Sequence, residues 1–163
     1  MTEDPYAIAF EAGKDALSRQ HASLDGLRTR AAGLLSGASI ATAFLGAQAL
    51  KKPKQRPDFY LVDWEWPATI SFVLLALLVI AILWPRKDWV YSMGPKVIIG
   101  GYIENRDKTY SVPEIRRNLA LHLENHFESN RGKLNSMYWL FRLSCALLAV
   151  QVVAWILDLT TGG

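Results

Sequence analysis

PATISFVLLALLVIAILW, residues 67–84, runs for eighteen positions without an ionisable side chain. At about 1.5 Å of rise per residue, a helix of this length matches roughly the hydrocarbon thickness of a bilayer. Two further blocks share the character. Residues 137–157, MYWLFRLSCALLAVQVVAWIL, carry only Arg142 near the start and Gln151 further in as strongly polar groups. Residues 31–50, AAGLLSGASIATAFLGAQAL, lack charge but consist largely of Ala, Gly, Ser and Thr, which weakens their insertion signal. A chain of 163 residues with 51% hydrophobic residues gathered into such blocks reads as an all-α membrane protein with three transmembrane helices.

Charge placement sets the expected orientation. Lys14, Arg19, Arg28 and Arg30 precede the first block, and nine basic residues from Arg86 to Lys133 lie between the second and third. Only Lys51, Lys52, Lys54 and Arg56 fall on the other side. Thirteen against four places the N-terminus in the cytoplasm and the C-terminus outside, in a cell inner membrane crossed several times. The first apolar block follows some thirty polar residues, so no cleaved leader is expected. Cys145 lies inside the third block, without a second cysteine to pair with. A net charge of +3 does not by itself mark a nucleic-acid-binding protein.

The expected layout follows: a cytoplasmic helix over 1–30, span one over 31–50, an external loop over 51–66 and span two over 67–84. A cytoplasmic irregular segment over 85–112, a cytoplasmic helix over 113–136, span three over 137–158 and a short external tail over 159–163 complete it. No proline interrupts residues 6–50, so one helix can run from the cytoplasm through span one. Pro53, Pro57 and Pro67 break the loop, and Trp84, Pro85, Arg86 and Lys87 stop span two. Gly94-Pro95 and Gly100-Gly101 flank a short β-prone KVII, residues 96–99, that has the composition of a small strand. Ser111 and Glu114 have the spacing of a capping box, with Pro113 tolerated in the first turn. Ile115, Leu119, Leu123 and Phe127 then give the helix an apolar stripe. Its partner is expected to be the N-terminal helix, through Ile8, Ala12, Ala16, Leu24 and Leu27, within a chain or between copies. The first and third spans thereby extend into a cytoplasmic helical bundle.

Candidate functional residues fall into two groups. In span one, Gly33 and Gly37 have GxxxG spacing, and Ala38, Thr42 and Gly46 are small residues four apart, a pattern that lets helix backbones approach closely in lipid. They pack either against the chain's own spans or against another copy. Gly33, Ser36, Ser39 or Ile40, Ala43 and Ala47 fall near one face around which copies can assemble as a pore. In the cytoplasm, Arg106, Lys108, Arg116, Arg117, Arg131 and Lys133 offer paired charge and forked donors for phosphate, against the alternative of a cationic surface facing anionic lipid. Arg142 is placed to snorkel to headgroups, and Gln151 suits an interhelical hydrogen bond. His122 and His126 are four apart, but HLENH, residues 122–126, is not the HExxH of zinc hydrolases. No P-loop, dinucleotide fingerprint or nucleophile elbow is present, so neither an enzyme nor a cofactor is expected.

LDGLRTRAAGLL at 24–35, LWPRK at 83–87 and EIRRNLALHLENHFESNRGKLNSMYWLFR at 114–142 together give a pattern that resembles the small bacterial transmembrane effectors of nucleotide-signalling anti-phage systems, the SLATT-type and Pycsar-type membrane effectors. The likeness covers most of the chain and rests on its organisation. It implies a homo-oligomer, taken as a tetramer, paired with a nucleotidyltransferase or cyclase whose nucleotide or oligonucleotide signal controls a pore and stops growth of the infected cell. No nucleotide-binding domain is appended, so such a ligand would bind the cytoplasmic extensions of the spans, where Arg116, Arg117 and Asn130 lie. The alternative is a non-conducting membrane scaffold that binds a partner protein through its cytoplasmic helices.

Overall fold

The computed structural model describes residues 4–51, 64–85, 89, 94–104 and 109–161. Its elements are helices: α1 (Pro5–Lys51), α2 (Glu65–Leu83), α3 (Pro95–Ile98), a π-helical turn (Ile99–Ile103) and α4 (Val112–Thr161). Stretches of α1, α2 and α4 are long and apolar enough to cross a membrane. The 19 residues of α2 extend about 28 Å. Pro67 is accommodated in the first turn, and Trp84 takes the extended ψ of 126° favoured for a residue before proline.

Within the segment expected to be irregular, residues 95–103 are helical, and the β-prone run at 96–99 forms no strand. Pro95 sits at the first position of a helical turn instead, and Gly100-Gly101 falls in the π-helical turn, closed by a 2.8 Å bond from the Glu104 N–H to the Ile99 carbonyl. A short apolar run has no period of its own to separate strand from helix, and a lone strand has no neighbour for its backbone groups. Tyr102 and Tyr110 stack edge to face at 5.3 Å.

At the start of α4 the Ser111 N–H donates to the Glu114 carboxylate at 2.9 Å, and the Glu114 N–H lies 3.5 Å from Ser111 Oγ. This reciprocal pair caps the helix. From there α4 runs unbroken through Gly132 to Thr161.

The chain divides into two compact units, and α1 and α4 contribute to both. In the unit formed by Met1–Asp25 and Arg86–Asn135, Leu17, Gln20 and Leu24 of α1 are buried, as are Leu119, Leu123 and Asn130 of α4. A Cβ added to Gly13 would lie 3.2 Å from the Leu123 Cβ. Contacts 4 to 116, 13 to 123 and 20 to 127 rise together along both helices, so here they run parallel. The α4 stripe is close to the expected one. The α1 stripe is met only in part: Leu24 and Leu27 are buried, but Ile8 is 63% exposed and Ala12 is exposed, because the buried line before Leu24 passes through Leu17 and Gln20.

In the unit formed by Gly26–Pro85 and Ser136–Gly163, Leu27, Ala31 and Ala38 of α1 are buried, with Ala68, Ser71, Leu75, Val79 and Ile82 of α2 and Met137, Ser144, Gln151, Ala154 and Trp155 of α4. The opposite side of α2 exposes Trp66, Ile70, Leu77 and Ile80. Apolar area on this scale requires lipid or further protein to cover it.

Buried positions repeat every seven residues along both long helices: 17, 24, 31 and 38 in α1, and 123, 130, 137, 144 and 151 in α4. This is the spacing of a coiled-coil seam. Three of these positions are polar, Asn130, Ser144 and Gln151, and Gln20, three residues after Leu17, is a fourth buried polar residue.

Candidate functional site

The small residues of span one separate into two rows. Ala38, Thr42 and Gly46 turn inward. Ala38 is fully buried, and a Cβ on Gly46 would come within 3.3 Å of the Trp155 indole, so the glycine allows that ring to lie against the α1 backbone. Gln151, fully buried on α4, donates through Nε2 to the Ala38 carbonyl at 3.1 Å and to Thr42 Oγ1 at 2.6 Å. The Thr42 hydroxyl itself donates to the Ala38 carbonyl at 2.9 Å. Gln151 therefore joins α4 to α1, the interhelical role its sequence position suggests, while its Oε1 is buried with no partner.

Gly33, Ser36, Gly37, Ser39, Ile40 and Ala43 are exposed. Among the described residues, a Cβ on Gly33 or Gly37 would meet nothing within 4 Å, so the GxxxG pair packs against none of the described helices. Ile40 is 70% exposed and Phe44 64%. The hydroxyls of Ser36 and Ser39 donate to the carbonyls of Ala32 and Leu35 at 3.1 and 2.8 Å, which satisfies them without water. Gly46, grouped with these residues on sequence, belongs to the inward row.

The described basic residues are spread along α4. Arg106 and Lys108 lie outside the described residues. Arg116 Nη1 is 2.8 Å from Asp4 Oδ2, and Asp4 also accepts the Tyr6 N–H at 3.1 Å at the start of α1. Arg117 and Arg131 are exposed, and Lys133 Nζ lies 5.8 Å from the centre of the Trp89 ring. Fifteen residues of one helix separate Arg116 from Arg131, about 22 Å along the axis. A single phosphate is too small to bridge them within a chain; an extended polyanion or a membrane surface is not.

Arg142 is exposed with its guanidinium 5.4 Å from the Trp139 ring centre. Among the described residues no three His, Cys, Asp or Glu side chains cluster to hold a metal. Sequence reasoning missed the Asp4–Arg116 pair and a bond from Gln20 Nε2 to the Phe127 carbonyl at 3.1 Å. The signal for Gln20 was its place seven residues before Leu27 and three after Leu17.

No protein-family model matches the chain, and neither a curated protein nor a solved structure matches it significantly.

Proposed function

We propose that the protein is a homo-oligomeric, channel-like or pore-like effector of a bacterial inner membrane, controlled by a nucleotide or oligonucleotide signal in anti-phage defence. The observation that carries this reading is the outward row of span one. Gly33 and Gly37 leave the α1 backbone accessible on a face that no other described residue covers. Small residues on such a face favour close helix association in a bilayer, where lipid and side chain are equally apolar and tight backbone packing decides the contact. In this reading copies meet along Gly33, Gly37 and Ile40, with Ser36, Ser39 and Ala43 beside the pore and the N-terminus in the cytoplasm.

Control needs a structural link, and α1 and α4 are each one unbroken helix with a charged half and an apolar half. A ligand that binds one arrangement of the charged halves more tightly shifts the packing of the apolar halves by that difference in affinity and no more. The spacing of Arg116 and Arg117 from Arg131 suits an extended polyanion, or phosphates bound between copies, better than one mononucleotide in one chain.

Induced expression with a membrane-potential dye tests the reading. Wild type depolarises cells when the signal is supplied, while Gly37→Leu and Ser36→Leu abolish the effect at unchanged protein level. Unaltered leakage in both variants removes span one from the pore. Planar bilayers of the purified protein without discrete currents under any nucleotide would support the non-conducting scaffold instead.

A further inference from the structure

We propose that a groove between α1 and α2, floored by Trp155, seats the ester carbonyl of a glycerolipid on the Trp155 indole N–H; the proposal rests on the membrane reading of the three long helices. The groove encloses about 590 Å³ and is lined chiefly by Ala43, Gly46 and Ala47 of α1, Glu65 and Trp66 of α2, and Trp155 of α4. Its volume falls within the range of small-ligand sites.

An unmatched donor selects the occupant. Trp155 is only 6% exposed, and its Nε1 is buried without a hydrogen-bond partner among the described residues. A buried indole N–H ordinarily finds an acceptor, and one left unpaired carries the full desolvation penalty of the group. Gln151, one turn earlier on α4, does not supply it: its Nε2 is spent on Ala38 and Thr42, and its Oε1 is unpartnered as well. The point where Gly46 would carry a Cβ lies 3.3 Å from Cη2 of the ring, 3.5 Å from Cζ2 and 4.0 Å from Cζ3, so the ring edge that bears Nε1 is the one nearer this wall of the groove. The donor has no open surface in the isolated chain, and the absent Gly46 side chain is the slack on which the ring turns to meet an acceptor. Ala43 and Ala47 keep the rest of the α1 wall shallow and apolar, which suits an acyl chain. Gly46 is five residues before the end of α1, Trp155 six before the end of α4, and Glu65 the first residue of α2, so the groove lies within about 9 Å of three helix ends. On the membrane reading this is the bilayer interface, where tryptophans collect with one side in apolar surroundings and the N–H bonded. A glycerolipid carries its ester carbonyls at that level, between head and tail. The ester is a neutral acceptor joined to an apolar chain, which matches one donor beside an apolar wall.

The test uses the full chain in nanodiscs of equimolar diester and diether phosphatidylcholine, matched in head and chain length, with retained lipid counted by native mass spectrometry, which separates the two by mass. The diether lacks only the carbonyls. Wild type is expected to hold one lipid per chain, with the ester enriched about fivefold over the ether, as one net hydrogen bond gives. Trp155→Phe keeps an aromatic floor without the donor, so it retains a lipid and loses the preference for the ester. Ala47→Leu, at an exposed position, fills the groove and loses the retained lipid of either kind. Equal retention of the two lipids by wild type overturns the proposal whatever the variants do, and so does an ester preference that survives Trp155→Phe or undiminished retention by Ala47→Leu. Retention that falls with Gly37→Leu and not with Ala47→Leu moves the lipid to the outer row of span one and overturns the groove as well. Absence of the chain from the lipid-containing fraction overturns the membrane reading together with the groove, while insertion without ester preference overturns the groove alone.

Discussion

The two rows of small residues on span one are close in composition and opposite in use. Ala38, Thr42 and Gly46 meet Gln151 and Trp155 of α4, where the missing side-chain volume is filled by an amide and an indole. Gly33 and Gly37 lie on the same helix, and an added Cβ there meets nothing. Small residues in a span therefore mark close approach without saying what approaches. The inner row serves the chain's own fold, and no described residue packs against the two glycines of the outer row.

Substitution at Gly46 should separate the rows most sharply. Gly46→Leu drives a branched side chain into the Trp155 ring and should destabilise the helical unit by about 1–3 kcal/mol, as overpacking does, read as a lowered midpoint of thermal unfolding in detergent. An unchanged midpoint would show that Trp155 leaves the helix freely and that the inner row holds little.

The hydrogen-bonded part of the inner row is expected to contribute less. A double-mutant cycle of Thr42→Val and Gln151→Leu should give a coupling of about 0.6–1.7 kcal/mol, the range of polar contacts between membrane helices. Either single change is expected to be mild, because Gln151→Leu also removes the buried and unpartnered Oε1 while Thr42 keeps its bond to the Ala38 carbonyl, and after Thr42→Val the Gln151 amide still donates to that carbonyl. Zero coupling would reduce the Gln151 contact to packing.

In the other unit, Asp4→Asn removes the charge facing Arg116 across a pair whose side chains are 21% and 41% exposed. It should cost at most about 1 kcal/mol at low salt and progressively less as salt rises. A salt-independent loss would transfer the effect to the helix cap that Asp4 forms with Tyr6.

The smallest effect on folding belongs to the outer row. Gly37→Leu should change stability by no more than about 0.5 kcal/mol, yet shift the protein to smaller assemblies by light scattering in detergent. Loss of stability without loss of assembly would reverse the assignment of the two rows.

Much of the architecture was legible in residue order. Three helices with apolar stretches long enough to cross a membrane, the uninterrupted run from residue 5 into span one, the Ser111–Glu114 cap and the bond from Gln151 to another helix all follow from periodicity, proline placement and the cost of an unpaired amide. The coiled-coil spacing of α1 and α4 was harder to read, because Gln20, Asn130, Ser144 and Gln151 hold buried places where an apolar residue is expected. That polar content also displaced the expected stripe on α1 towards Ile8 and Ala12. The distance between Arg116 and Arg131 was not legible, because sequence reports how many charges lie between two apolar blocks and not how far apart a continuous helix holds them.

The sequence by itself determined that the chain builds long helices, since eighteen residues without charge or an interior proline form a continuous apolar run long enough to cross a membrane as a helix. It also marked the start of α4 at the Ser111–Glu114 cap and the end of α2 before Pro85. Only the tertiary structure decided which side of span one faces α4 and which is left open. That choice depends on the shape of the partner, the Trp155 ring and the Gln151 amide, and a row of small side chains records room for a partner without recording its identity.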